Sequence, residues 1–258
     1  MGKVLAIANQ KGGVGKTTTC VNLAASLVAT KRNILLVDLD PQGNATMGSG
    51  VDKDHLRYSG YDLLMEELPL NTVKVVADPA GYDLVPSNAE LTAAEVELLN
   101  LDERESRLRN SLEGVQHHYD FVLIDCPPSL SMLTINALTA ADGVIIPVQC
   151  EYYALEGLSA LLNTITRISM RSNPGLVVEG LLRTMYDSRN SLARDVSRQL
   201  LDHFGDQVYR TLIPRNVRLA EAPSYGLPVL LYDKQSRGSR AYLSLAGELL
   251  RRQLQVEV

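Results

Sequence analysis

Asn9-Gln10-Lys11-Gly12-Gly13-Val14-Gly15-Lys16-Thr17-Thr18 is the stretch on which the reading of this chain turns. Before it runs Val4-Leu5-Ala6-Ile7-Ala8, of the length and apolar character of a buried strand. After it, Thr19-Cys20-Val21-Asn22-Leu23-Ala24-Ala25-Ser26-Leu27 carries apolar residues at helical spacing. A strand, a glycine-rich turn and a helix in that order form the setting of a phosphate-binding loop. Gly12, Gly13 and Gly15 let successive backbone N–H groups converge on a polyphosphate, and Val14 and Thr18 complete the cradle. The helix opening near Lys16 adds unpaired amides and the positive end of its dipole. Lys16 can lie along the β- and γ-phosphates, and the Thr17 hydroxyl suits a phosphate-bound Mg²⁺. These residues predict ATP with Mg²⁺.

Working outward, apolar runs recur between helical patterns at Ile34–Val37, Asp83–Val85, Phe121–Ile124, Val144–Val148, Leu181–Met185, Val208–Ile213 and Val229–Leu231. With the first strand they predict an α/β fold: a mostly parallel, twisted sheet of about eight strands flanked by helices. Long helices are expected over Glu90–Leu112 and Ala154–Met170. No repeat, low-complexity tract or linker interrupts the 258 residues, so a single domain over 1–258 is expected.

Two further segments fall at predicted carboxyl ends of strands, where open α/β sheets bind ligands. The first is Asp38-Leu39-Asp40-Pro41-Gln42-Gly43-Asn44; if the strand continued, Asp38 and Asp40 would point the same way. The second is Asp125-Cys126-Pro127-Pro128, an apolar strand closed by one carboxylate, the Walker B pattern, with Asp125 placed to hold a metal-bound water. The paired prolines suit a stiff loop that reports on the γ-phosphate.

Composition is that of a soluble protein, 45% apolar and 21% charged, and no apolar run approaches the ~18–20 residues of a membrane span. The chain opens directly on its first strand, so neither a signal peptide nor an N-terminal helix-turn-helix is expected. Cys20, Cys126 and Cys150 form no CxxC pair, which argues against a zinc site and a disulfide framework and suits the cytoplasm. The net charge of −5 hides an asymmetry. Residues 183–258 carry 12 Lys and Arg against 8 Asp and Glu, leaving 13 against 22 for the first 182.

Lys11 stands five positions ahead of Lys16 and is not needed to neutralise a nucleotide bound in cis. It can instead reach a nucleotide held by a second subunit, as an arginine finger does. The loop K-G-G-V-G-K-T-T resembles the deviant Walker A motif of the ParA/MinD family of dimerising ATPases. D-L-D-P-Q-G-N resembles the family's switch I. The segment Ile213-Pro214-Arg215-Asn216-Val217-Arg218-Leu219-Ala220-Glu221-Ala222-Pro223-Ser224 is similar to that of Soj-type chromosome-partitioning ParA proteins, a likeness running from Lys3 to about Arg252. The resemblance implies a catalytic set of Lys11, Lys16 and Asp40, with Asp40 orienting the attacking water. Asp38 would support the loop, Lys11 or the Mg²⁺ shell. Pro214 and Asn216 would contact adenine. It further implies an ATP-dependent homodimer on the nucleoid that binds double-stranded DNA without sequence preference, and a ParB-type partner that stimulates hydrolysis. Arg189 and Arg218 are the DNA contacts so implied; Arg215, Lys234, Arg237 and Arg240 join them on local charge alone. The alternative is a MinD-like protein cycling on a membrane through an amphipathic C-terminal helix over 242–254. That segment has few basic residues and no Phe or Trp, so core packing accounts for its apolar face better, and no membrane partner is expected.

Overall fold

A computed structural model describes residues 2–152 and 154–256. Its strands are β1 (Lys3–Ile7), β2 (Ile34–Asp38), β3 (Val75–Ala77), β4 (Tyr82–Val85), β5 (Phe121–Asp125), β6 (Gly143–Gln149) and β7 (Val177–Thr184). They form one sheet in the order β3-β4-β2-β5-β1-β6-β7, parallel throughout except for β3, which runs antiparallel on β4 at the edge.

Each central strand splits its side chains between two cores, as a period of two requires. Leu5, Ile7, Ile34, Leu36, Phe121 and Leu123 face a core shared with the helices Lys16–Val28 and Arg237–Val256. Val4, Ala6, Leu35, Val37, Val122 and Ile124 face the opposite core, closed by Met132–Ala140 and Ala154–Arg171. With both faces covered, the strands read as continuous apolar runs.

Register decides where the chemistry lies. Asp38 of β2 and Ile7 of β1 both pair with Asp125 of β5. Three strands therefore end level, and the loops leaving them open onto one crevice.

The sheet has seven strands, not eight. Val208–Ile213 runs beside β7, with the Tyr209 and Ile213 amides donating to Leu181 and Arg183 carbonyls. Between them the Arg210 and Thr211 amides turn to the Glu248 carboxylate, at 2.7 and 2.8 Å. The ladder is interrupted and only an isolated bridge, Leu181 to Val208, remains. Val229–Leu231 belongs to a short helix, Val229–Tyr232, opened by Pro228, which suits a helix start; three apolar residues carry too little periodicity to tell the two states apart. The edge strand β3 is equally short and lies outside the predicted set. Ala154–Arg171 forms as expected, but Glu90–Leu112 breaks into Leu91–Glu97, Leu98–Asn100 and Arg107–Leu112. Buried Asn136 takes the backbone there, accepting from the Leu108 amide and donating to the Arg104 carbonyl.

Candidate functional site

The glycine-rich loop leaves β1 and closes over the first turn of the Lys16–Val28 helix. Gly13 and Gly15 hold φ of 73° and 89°, the left-handed region that side chains resist. Gly15 is the helix N-cap and brings no side-chain cap, so the first-turn amides remain available to an anion. Asn9 braces the loop from below, accepting from the Lys11 amide at 2.9 Å and donating to the Pro147 carbonyl at 2.7 Å. Thr184, at the end of β7, donates to the Val14 carbonyl at 2.8 Å. Lys16 is buried, its Nζ 3.4 Å from the Lys11 carbonyl.

Opposite the loop stand three carboxylates. Asp38 and Asp125 are fully buried and Asp40 nearly so. Burial pushes the Asp38 carboxyl up to about 6. Asp125 is pushed further above the ordinary range, by burial first and then by the Asp38 charge. The Thr17 hydroxyl donates to Asp125, and the Cys20 thiol lies 3.5 Å from its Oδ1. Its Oδ2 is buried without a partner. A buried carboxylate oxygen left open beside a threonine hydroxyl, in a pocket crowded with negative charge, suits a divalent cation. Among the described residues no cluster of three His, Cys, Asp or Glu could enclose a metal by itself. That matches a Mg²⁺ whose remaining ligands are phosphate oxygens and water.

Asp38 and Asp40 do not share a strand face, because β2 ends at Asp38. Both Asp38 oxygens accept bonds from the following loop: Asp40 N at 3.1 Å, Thr46 N at 2.8 Å and Thr46 Oγ1 at 2.7 Å. Of the three roles expected for Asp38, this geometry matches loop support.

Lys11 is half exposed, and its Nζ pairs with Glu151 Oε2 at 2.8 Å. Glu151 in turn accepts from Gln149 Nε2 at 2.5 Å. Cys126 is fully buried among apolar side chains, a small hydrophobe as its surroundings predict.

Pro214 sits at an isolated bridge to Tyr186, and the Arg215 amide donates to the Tyr186 carbonyl. This contact draws the 186–189 loop against the 214–218 segment. Asn216 is the N-cap of Val217–Glu221, and its Oδ1 is buried without a partner, an acceptor free for a donor such as an exocyclic amine.

Arg189 and Arg218 are both exposed and both ion-paired. Arg189 grips Asp187 through Nε at 3.0 Å and Nη2 at 2.8 Å. Arg218 reaches Glu221 at 2.8 Å and Asp233 at 3.3 Å. Arg215, Lys234, Arg237 and Arg240 are exposed, with Arg240 donating to the Gln235 carbonyl. The basic excess of this third is not all surface charge. Arg183 is buried, bonded to Ser197 Oγ and the Tyr209 and Arg210 carbonyls. Arg252 lies 4.2 Å over the Tyr209 ring and bonds Glu248.

Sequence reasoning passed over Thr46, Ser87, Glu151 and Thr184. Only Asn9 left a local trace, an Asn two residues before the amide it accepts from, the pattern of an Asx turn. The C-terminal helix also answers the membrane alternative: Tyr242, Leu245, Ala246 and Leu249 are packed in the core. No helix among the described residues is long and apolar enough to cross a membrane.

Comparison with known proteins agrees with this site. A family model described as an AAA domain matches residues 2–178. The sporulation initiation inhibitor protein Soj of Bacillus subtilis is 52% identical over 249 residues, covering 96% of this chain and 98% of Soj. The chromosome partitioning protein ParA of Caulobacter vibrioides is 51% identical over 253 residues, covering 97% of this chain and 95% of that protein. A solved structure from Mycobacterium smegmatis, called cobyrinic acid a,c-diamide synthase and bound to an ATP analog and magnesium, superposes with a TM-score of 0.87. It is 40% identical and covers 98% of this chain and 96% of that one. On the loop at residues 9–18, the level ends of β1, β2 and β5, and this near full-length identity, the chain belongs to the ParA/MinD family of P-loop ATPases, alongside the Soj and ParA chromosome-partitioning proteins.

Proposed function

We propose that the chain is a single-domain partitioning ATPase that hydrolyses ATP with Mg²⁺ and uses the triphosphate to join two subunits. The joined pair binds duplex DNA through phosphates and releases it when a ParB-type partner speeds hydrolysis. The observation that carries this reading is the open Asp125 oxygen facing a phosphate loop across three level strand ends. It leaves room for charge that a nucleotide and a cation would bring.

In this reading the amides of Gly12, Gly13, Val14, Gly15, Lys16, Thr17 and Thr18 cradle the phosphates, and Lys16 offsets their charge. Thr17 and Asp125 hold the Mg²⁺, which supplies electrostatic stabilisation of the transferring phosphoryl group. Asp40 orients the attacking water, its carboxylate kept near the site by the short turn after β2. Pro214 and Asn216 meet adenine. Lys11 leaves Glu151 and crosses to the partner's nucleotide, where it stabilises charge in the transition state. Arg189 and Arg218, with Arg215, Lys234, Arg237 and Arg240 around them, face the DNA. Such contacts position the protein without reading bases. The place of action is then the cytoplasm, on the nucleoid.

Sizing the Asp40→Ala protein with ATP or ADP, with and without duplex DNA, at two salt concentrations tests the whole scheme. An ATP-specific dimer that holds DNA, and loses it steeply as salt rises, is expected. A dimer indifferent to the nucleotide, or a monomer that grips DNA equally well, overturns it. The name of the Mycobacterium smegmatis protein points to amide synthesis, so ammonia- or glutamine-dependent ATP turnover on a carboxylate acceptor is the matching control. Liposome flotation with ATP tests the membrane alternative.

A further inference from the structure

Asp40 is held by two buried residues that belong to none of the motifs, Thr46 and Ser87. β2 stops at Asp38, and the chain from Leu39 to Thr46 folds back over the strand end. Asp38 Oδ2 accepts from Thr46 Oγ1 at 2.7 Å and from Thr46 N at 2.8 Å. Thr46 Oγ1 in turn accepts from the Ser87 amide at 2.9 Å. Ser87 Oγ donates to the Asp40 carbonyl at 2.6 Å, and the Asp40 amide returns to Asp38 Oδ1 at 3.1 Å. The bonds close a ring, Asp38 to Thr46 to Ser87 to Asp40 and back. Asp38, Thr46 and Ser87 are each 0% exposed.

Ser87 arrives from outside the loop. It follows β4, which lies beside β2 with Val37 paired to Val85. The loop is pressed against it: a Cβ at Gly43 would stand 2.8 Å from the Ser87 carbonyl oxygen, and Gly43 has φ of 61°. Asp40 gives only its backbone to the ring, while its carboxylate Oδ1 accepts from the Gln42 amide at 3.0 Å. The ring thus sets the height and direction of the Asp40 side chain without occupying it.

We propose that Thr46 and Ser87 are positioning residues for Asp40, setting the rate of hydrolysis while leaving nucleotide binding to the phosphate loop. This rests on the reading that Asp40 serves the hydrolytic step. A buried ring of short bonds, each donor matched to one acceptor, is rigid in a low dielectric. Displacement of a reacting group by about 1 Å costs on the order of a hundredfold in rate.

The test compares Ser87→Ala, Thr46→Val and Thr46→Ser with the parent and with Asp40→Ala, measuring kcat and KM for ATP, nucleotide affinity and ATP-dependent dimerisation. Thr46→Val keeps the shape but loses the hydroxyl; Thr46→Ser keeps the hydroxyl and loses a methyl. We expect kcat to fall about ten- to a hundredfold in Ser87→Ala and Thr46→Val, with KM and nucleotide affinity within about twofold and the ATP dimer retained. Thr46→Ser should stay near the parent. Loss of nucleotide affinity in step with kcat would show a role in folding alone. Unchanged kcat in Ser87→Ala and Thr46→Val, with Asp40→Ala inactive, would overturn the positioning role and leave Asp40 intact. Parent-like turnover in Asp40→Ala would instead remove the reading on which it rests.

Discussion

The loop that carries Asp40 and the face that carries Arg189 and Arg218 are held by opposite means. Around Asp40 the partners are buried and neutral or singly charged, and they close a ring in which no member is solvated. On the arginine face each side chain is exposed and held by a neighbouring carboxylate, Asp187 for Arg189 and Glu221 with Asp233 for Arg218. The carboxyls titrate in opposite directions for the same reason. Burial pushes Asp38 up to about 6, whereas bonds from Arg189 pull exposed Asp187 down to about 2. Buried networks are rigid and costly to break; exposed ion pairs contribute little and are screened by salt. The chemistry is therefore arranged before the nucleotide arrives. The charged face can exchange one anion for another, a carboxylate for a phosphate, at small cost.

Lys11 belongs with the arginines in this respect. Its bond to Glu151 joins two half-exposed side chains, so the lysine can leave for a second subunit without dismantling the loop behind it. Lys16, buried 6% exposed against the Lys11 carbonyl, cannot.

That contrast sets the order of expected effects. Lys16→Ala removes a buried cation from the phosphate cradle and should cost at least about a hundredfold in ATP affinity, read by equilibrium dialysis; retained affinity would displace the loop from nucleotide binding. Lys11→Ala should bind ATP within a few-fold of the parent yet remain monomeric with it in analytical ultracentrifugation. ATP-driven dimers of that variant would refute the crossing. Arg218→Glu should lower duplex affinity about tenfold or more and flatten its salt dependence, since each phosphate contact contributes about 0.9 to the slope of log K against log salt. The ATP dimer should survive, and an unchanged slope would move the DNA contact elsewhere.

The smallest effect concerns pH. Free Asp titrates near ~3.9, so with Asp38 raised to about 6 the folded, nucleotide-free protein holds a proton that the unfolded chain has released. That stabilisation is complete below about pH 4 and is lost as pH rises through about 6. Asp125, raised in the same direction, adds to it. Asp125→Asn should therefore raise the nucleotide-free melting temperature at pH 7.5 by about 2–4 °C, the shift of ~1 kcal/mol in a chain of this size, and flatten its pH dependence. The same variant should lose the stabilisation that Mg²⁺ with ATP gives the parent. A lower melting point at pH 7.5 would mean that the Thr17 and Cys20 contacts to Asp125 outweigh the crowding of charge.

Residues 9–18, Asp38 to Asn44 and Asp125 to Pro128 were legible because each is a local pattern: an apolar strand, a turn and the polar residue at its end. Chain order alone then implied a parallel sheet with these turns on one edge. Val208–Ile213 misled for a physical reason, since Glu248, nearly forty positions away, takes the amides that a ladder needs. Glu90–Leu112 misled in the same way through Asn136.

Sequence by itself thus determined the phosphate loop, the carboxylates facing it and the fold class, because strand, turn and helix are set by neighbours within about ten residues. Tertiary structure alone decided that β1, β2 and β5 end level, that Ser87 reaches across from β4 to hold Asp40, and that Lys11, Arg189 and Arg218 rest on carboxylates. Those are contacts between segments distant along the chain, and hydrogen bonds and ion pairs depend on position in space, which no local pattern encodes.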